Sequence, residues 1–199
     1  FSLPTPLLYD AFEVGDSRRD LTILDVRTDT TRDKSREDTG FFTKKYVVNA
    51  TNEASRNGTD PLNFENNYRA IRYADVLLMA AEANANNNNA SKAESYLNQV
   101  RERAFGDNSQ NYTSSEGTLD DAIFNERRLE LAAEGHYFFD LVRTGRAKAA
   151  FDSYNSNYAS GETRPAIQYT ENKNEFLPIP LVELELANAI DRWGQNEGY

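Results

Sequence analysis

The chain has 199 residues, a length typical of one domain, and 39% of them are hydrophobic, enough to form a packed core. Its 32 acidic and 22 basic side chains give a formal net charge of -10, which disfavours nucleic acid as a partner because a phosphate backbone attracts positive surfaces. The absence of cysteine excludes disulfides and thiolate metal sites, the single His136 excludes a multi-histidine metal site, and no apolar stretch approaches the roughly 20 residues that cross a bilayer.

The opening third of the chain, residues 1–67, is predicted to be rich in loops. An apolar cluster at residues 7–12 has room for one or two helical turns before Gly15, and residues 21–26 predict a short strand. Residues 41–48 are aromatic and β-branched, so this part of the sequence is compatible with a small β-hairpin. The remaining stretches are charged or polar and are typical of loops.

Two amphipathic helices are predicted next, because apolar side chains recur at the spacing of one helical face. These positions are Ile71, Ala74, Leu78, Ala81 and Ala85 in a helix over residues 69–85, and Ala93, Leu97, Val100 and Ala104 in the following helix. Asn66 or Asn67 is the expected N-cap of the first helix, and Ser91 with Glu94 has the spacing of a capping box for the second. Asparagines at residues 86–89 separate the two helices, which we expect to fold back as an antiparallel hairpin.

The rest of the chain predicts three further helices, over residues 119–134, 137–150 and 180–189. Thr118 is the expected N-cap of the first of them, and Pro180 starts the last. The middle one is expected to bury Phe138, Leu141 and Val142. We therefore predict a mainly α fold of helical hairpins with long irregular loops. It forms one domain, residues 1–199, with the loop-rich segment followed by a helical scaffold over residues 68–199 that includes an extended C-terminal piece.

Charged side chains interrupt the apolar faces of these helices. They are Arg72, Asp75 and Glu82 in the first helix, Arg101 in the second, and Glu126, Arg127 and Glu130 in the third. Because carboxylates are seldom buried without a cation, this pattern favours a partly buried ionic network that holds the helices together. The alternative is an acid–base pair for hydrolysis, since the spacing of Glu126 and Glu130 puts both on one side of a helix.

Aromatic side chains gather in the loops before residue 68. A flat ring can stack on the C–H face of a sugar, and the asparagines nearby offer amides to its hydroxyl groups. Phe42, Tyr46 and Phe64 are therefore the predicted ligand-binding residues. The alternative is that these rings pack the loops onto the helices.

Sequence motifs of catalysis are missing from the chain. It has no GxGxxG or GxxxxGK[ST] loop for phosphates and no GxSxG nucleophile turn. We therefore predict no catalytic residue, no cofactor and no metal site, and the chain is not expected to be an enzyme.

Several blocks of sequence, in order along almost the whole chain, resemble the SusD/RagB family. They are AFEVGDSRRD at residues 11–20, YRAIRYADVLLMAAEA at 68–83, LNQVRERA at 97–104, IFNERRLEL at 123–131 with EGHYFFDLVR at 134–143, LPIP at 177–180 and QNEGY at 195–199. Tyr137 stands where the family often has Arg, and Ser17 replaces a common Pro.

The resemblance implies the C-terminal region of a SusD-type protein with a tetratricopeptide-like helical scaffold. It implies a surface-exposed lipoprotein of the outer membrane that captures oligosaccharides, without catalysis, for a SusC-like TonB-dependent transporter. The sequence starts without Met and lacks the family's signal and lipidated Cys, so we expect further helices and a lipid anchor upstream.

Two other functions are compatible with the same residues. The helical hairpins could form a protein-interaction module that docks on the transporter, or the ligand could be a peptide rather than a glycan. The sequence does not choose among glycans.

Overall fold

A computed structural model describes residues 3–33, 38–47, 67, 69–158, 165–186 and 194–199. The chain divides into two compact units, Phe1–Tyr137 and Phe138–Tyr199. Up to residue 130 the elements are α1 (Pro6–Tyr9), α2 (Arg18–Thr22), β1 (Ile23–Asp25), β2 (Phe41–Thr43), α3 (Tyr73–Asn86), α4 (Ala90–Phe105), a 3₁₀ turn (Ser114–Glu116) and α5 (Leu119–Glu130). They are followed by α6 (Tyr137–Arg143), α7 (Ala147–Asn157) and α8 (Leu181–Leu186). The predicted mainly α fold is confirmed.

The small sheet consists of β1 and β2, which pair antiparallel with Leu24 opposite Phe42. Backbone hydrogen bonds from Val26 to Gly40 and from Lys44 to Thr22, 2.9 and 2.8 Å long, extend the ladder at both ends. Because side chains alternate along a strand, this register turns one set of side chains inward and leaves Leu24 and Phe42 on the other face.

The predicted hairpin is formed by α3 and α4, which pack against each other across a short link. Leu78, Ala81, Ala93 and Leu97 are fully buried between the helices and Val100 almost so, as the spacing predicted. Burying a leucine side chain contributes about 1.5–3 kcal/mol, so this seam is a main source of stability.

The starts of both helices differ from the prediction. Arg72 is extended, with φ of -117° and ψ of 156°, so α3 begins only at Tyr73, and the predicted helical residue Ile71 is 69% exposed. Asn67 therefore does not cap this helix, and Asn66 lies outside the described residues. The capping box at Ser91 is also wrong, because α4 already begins at Ala90.

The N-cap predicted for α5 is confirmed, since the Thr118 hydroxyl accepts a hydrogen bond from the backbone N–H of Asp121. The helix ends earlier than predicted, at Glu130, and a turn follows in which Ala133 and Gly135 have positive φ values of 65° and 84°.

The helix predicted over residues 137–150 is divided in two at Gly145, whose φ of 67° interrupts the helical geometry. Leu141 is buried as predicted, but Phe138 is 38% exposed and Val142 only half-buried. The predicted last helix is described from Leu181 to Leu186, and residues 187–190 lie outside the described part.

Two hydrophobic clusters make the core of the first unit, and α5 contributes to both. Its first half supplies Ala122 and Ile123 to the cluster between α3 and α4. Its last turn supplies Leu129 to a second cluster. The other members of that cluster are Phe12, Ile23, Phe41 and Ala132. None of the helices in the described ranges is long and apolar enough to cross a membrane.

Candidate functional site

A buried arginine from the opening segment lies against α5. At the start of α2, Arg18 is 6% exposed, and its Nε and Nη2 donate to the Asp16 carboxylate at 2.9 and 2.7 Å. Asp16 also accepts from the backbone N–H of Arg18 at 2.9 Å, so the carboxylate fixes both the helix start and the guanidinium. This geometry aims the remaining nitrogen of Arg18 at α5.

On α5 that nitrogen meets two carboxylates, one helical turn apart. Nη1 of Arg18 lies 2.5 Å from Glu126 Oε1 and 3.1 Å from Glu130 Oε2. Glu126 and Glu130 are each only 2% exposed. Their spacing on one face of the helix lets one guanidinium bind both.

Cations from three further parts of the chain bind Glu130 and the nearby Glu134. From the residue before α3, Arg72 binds Glu130 at 2.8 Å and Glu134 at 2.6 Å. Lys45, from the turn after β2, lies 2.5 Å from Glu134 and donates to the backbone oxygen of Glu130. Arg103 of α4 binds Glu130 at 2.5 Å.

Arg101 and Arg127 complete the predicted set of arginines. Arg101 lies 3.6 Å from Glu126 and binds the more exposed Glu116 at 3.2 Å. Arg127 pairs with Asp75 of α3 at 2.8 Å. The structure thus places Arg72, Asp75, Arg101, Glu126, Arg127 and Glu130 in buried or half-buried ion pairs, and Glu82 is half-buried on α3.

The pKa values of this network follow from burial and from its hydrogen bonds. Burial raises the pKa of Glu126, and Arg18 and Arg101 oppose that shift. Burial also acts on Glu134, but hydrogen bonds from Arg72 and Lys45 outweigh it and lower the pKa below its ordinary value of 4.5. The pKa of Lys45 is lowered by burial, although Glu134 works against the change. A buried, cation-bound pair of this kind holds helices together and has little access for a substrate.

Sequence reasoning missed Arg18, Asp16, Lys45 and Glu134 as members of this network. Arg18, Asp16 and Lys45 lie outside the amphipathic helices in which charged interruptions were sought, whereas Glu134 is the last residue of the third predicted helix. The family resemblance contained a signal for three of them, since Asp16 and Arg18 belong to the block of residues 11–20 and Glu134 opens the block of residues 134–143.

The outward face of the small sheet is a different kind of surface. Leu24 and Phe42 stand directly opposite each other on the paired strands and are 46% and 37% exposed. The guanidinium carbon of Arg32 lies 5.9 Å from the centroid of the Phe42 ring. Arg32 is ion-paired with Asp38, and its Nε donates to the backbone oxygen of Val26 at 3.2 Å. Arg32 thus holds the Phe42 ring in one orientation, with part of its apolar surface exposed.

The inward face of the sheet anchors this surface. Phe41 is fully buried and stacks on Tyr9, with ring centroids 4.6 Å apart. Arg27 covers the Phe41 ring at 4.5 Å while its own guanidinium is paired with Asp25. The strand that carries Phe42 is therefore fixed by its buried neighbour.

The three predicted ligand-binding residues stand as follows. Phe42 lies on the outward face of β2, and Tyr46 is half-buried in the turn that follows this strand. Phe64 lies outside the described residues. Leu24 and Arg32 were not singled out in the sequence, because their neighbourhood depends on strand register.

No cluster of three or more His, Asp or Glu side chains arranged to hold a metal ion occurs in the described parts of the chain. The carboxylates that come together at α5 form ion pairs with arginines and a lysine of the protein, so their oxygens are already bound to cationic side chains.

Comparison with known proteins gives matches along almost the whole chain. The profile of the SusD family matches residues 13–199. The chain is 33% identical to SusD-like protein P25 and 35% identical to SusD-like protein P2, both of Formosa agariphila, over 69% and 67% of its length. The matched part is 26% of either relative, so the chain spans about a quarter of the length of the curated relatives it matches.

Solved structures with the same fold are surface glycan-binding proteins. Surface glycan-binding protein A of Bacteroides fluxus has a TM-score of 0.78 and 32% identity, over 97% of this chain and 39% of that one. Surface glycan-binding protein A of Bacteroides thetaiotaomicron, in complex with laminarihexaose, has a TM-score of 0.74 and 29% identity, over 98% of this chain and 41% of that one.

Proposed function

The chain belongs to the SusD family, and from this premise we propose that it binds oligosaccharides at the cell surface without catalysing a reaction. The observation that carries the proposal is its likeness, along nearly all of its length, to surface glycan-binding proteins, one of them solved with a bound hexasaccharide. The protein acts at the outer membrane, held there by a lipid anchor, and delivers the glycan to a SusC-like TonB-dependent transporter.

The proposed binding surface is the outward face of the sheet together with the segment that follows it. Phe42 supplies an exposed ring beside Leu24. Tyr46, half-buried in the turn after β2, and Phe64, which lies outside the described residues, are proposed as further ligand-binding rings on the sequence pattern alone. One ring on one sugar contributes about 0.5–1.5 kcal/mol, so several rings must act together for useful affinity.

Burial supports a structural role for Glu126 and Glu130 in place of hydrolysis. Both carboxylates are 2% exposed, and Arg18 binds the two of them. A glycosidase needs its two carboxylates open to the bond that is cut.

Isothermal titration with a panel of neutral and acidic oligosaccharides tests the proposal. The variant Phe42→Ala/Tyr46→Ala/Phe64→Ala should lose at least tenfold in affinity for the glycan that the wild type binds. Phe139→Ala is the matched control, because this ring is 70% exposed and belongs to the second unit. Unchanged affinity in the triple variant would remove the site, and the absence of any binding by the wild type would contradict the function.

The second candidate is an interaction module that docks on the transporter, and one face of α3 favours it. Tyr73, Val76 and Met79 are 73%, 43% and 45% exposed on the side of the helix that faces away from the core. Exposed apolar side chains that lie together on one face are typical of a surface that a partner covers. A pull-down with the transporter tests this candidate. Substitution of Val76 and Met79 should abolish capture of the transporter, whereas the triple ring variant should still capture it.

A further inference from the structure

Among the described residues around Leu24 and Phe42, every arginine is paired with a carboxylate, and the exposed Lys44 donates to a backbone oxygen. Residues 16–33 and 38–47 contain six basic side chains, and each has an acceptor of its own. The acceptors are Asp16, Glu126 and Glu130 for Arg18, Asp20 for Arg19, Asp25 for Arg27, Asp38 for Arg32, the backbone oxygen of Asp20 for Lys44, and Glu134 for Lys45.

Arg32 lies over the exposed ring, and its guanidinium is paired with the carboxylate of Asp38. Its side chain is 16% exposed and that of its partner Asp38 is 5% exposed. Asp38 also accepts from the backbone N–H of Gly40 at 2.7 Å, next to the start of β2. An anionic ligand that claimed Arg32 would have to draw it away from a nearly buried carboxylate, which is unfavourable in a poorly hydrated site.

Arg32 has a structural role at this surface and is not needed to bind a charged ligand. With its Nε on the Val26 oxygen and its guanidinium over Phe42, it holds the ring beside Leu24. A guanidinium over an aromatic ring is attracted by the negative face of the ring, which favours one orientation of Phe42.

We infer that the ligand of this surface is a neutral oligosaccharide, without uronate or sulfate groups. The inference rests on the proposed function and narrows its substrate class. A neutral sugar needs only an apolar face and hydrogen-bonding groups, both of which remain available when the described arginines near this surface are paired with carboxylates. The chain's net charge of -10 adds a long-range repulsion against acidic ligands.

The test is titration of the wild type with matched pairs of ligands. Laminarihexaose, cellohexaose, mannohexaose and galactohexaose are each compared with the C6-oxidised uronate of the same length and linkage. We expect at least one neutral hexasaccharide to bind, with its uronate at least tenfold weaker. A uronate that binds as tightly as its neutral form, or more tightly, would overturn the inference while leaving glycan binding intact. If no member of any pair binds, the proposed function itself is contradicted.

A variant that frees one cation tests the cause of the selectivity. Asp38→Asn removes the charge partner of Arg32 and should raise the ratio of the affinity for the uronate to the affinity for the neutral ligand at least threefold. Asp152→Asn is the matched control, because it frees Lys148 in the second unit with the same change in net charge. An equal gain in both variants would mean that overall charge, and not the pairing of Arg32, sets the preference.

Discussion

Arg18 binds three buried carboxylates at once, those of Asp16, Glu126 and Glu130. Breaking a buried ion pair on one side is unfavourable mainly because the partner stays behind as a charge without compensation. This arginine also joins the opening segment to α5, so its effect on stability extends beyond one contact. Its neighbour Arg19 has a surface pair with Asp20, which is 75% exposed.

The substitution Arg18→Met is expected to lower the free energy of unfolding by about 3–5 kcal/mol, because it leaves three carboxylates with fewer cations. Arg19→Met removes the same groups from the adjacent residue and should change stability by about 1 kcal/mol or less. Urea denaturation at pH 7, followed by circular dichroism at 222 nm, measures both. Equal losses of unfolding free energy in the two variants would show that the buried ion pairs of Arg18 stabilise the fold no more than the surface pair of Arg19.

The pH dependence of stability should report on Glu134. Hydrogen bonds from Arg72 and Lys45 lower its pKa in the folded chain below the ordinary 4.5, so the folded state favours the ionised form. A carboxyl group with a lowered pKa stabilises the fold above its unfolded-state pKa and loses that contribution as the pH falls through the folded-state pKa. Glu134→Gln should therefore reduce the free energy of unfolding by about 1–3 kcal/mol at pH 7.

The difference between wild type and Glu134→Gln should stay constant from pH 7 to about pH 5 and then shrink. Urea denaturation at a series of pH values from 7 to 3 follows this change. A difference that grows as the pH falls below 4.5 would contradict the lowered pKa.

Helix α5 shows which part of an element can be read from the sequence. Its N-terminus was predictable, because the Thr118 cap is a local contact between residues three apart. Its C-terminus was not, because the helix gives way to a turn where Glu134 meets Arg72 and Lys45 from distant parts of the chain. The same reason explains α3, whose start is delayed by Arg72 in an extended conformation that lets it reach Glu130 and Glu134. Periodicity predicts the seam of a helix pair, and long-range ion pairs then decide where the helices begin and end.

The candidate site was predictable in its chemistry and less so in its geometry. Aromatic residues in loops pointed to Phe42, whose exposure on β2 is compatible with that assignment. Leu24 joins it only through the antiparallel register, and Arg32 only through its contacts with Asp38 and Val26. Neither contact can be recognised from residues that are neighbours in sequence. The strands at residues 23–25 and 41–43 are separated by a long loop, and the sequence does not specify their register.

Taken as a whole, the chain combines a strong negative charge with a proposed binding surface whose described arginines are all paired with carboxylates. Long-range electrostatics therefore keep acidic polymers away, and they do little to attract a neutral ligand. Affinity for such a ligand has to come from ring stacking and hydrogen bonds at short range. The proposed binding of a neutral ligand should therefore depend little on salt concentration, which can be measured.

For the neutral hexasaccharide that binds most tightly, the dissociation constant should change by less than about twofold between 50 and 500 mM NaCl, because no charge is neutralised on binding and salt screens only charged interactions. The comparison is the uronate form with Asp38→Asn, in which Arg32 is free to pair with the ligand. There the affinity should fall severalfold over the same range. Isothermal titration at both salt concentrations measures the two cases. A steep loss of affinity for the neutral ligand in the wild type would mean that ion pairing contributes to its capture, and that the arrangement of paired arginines around Phe42 is rearranged when the glycan binds.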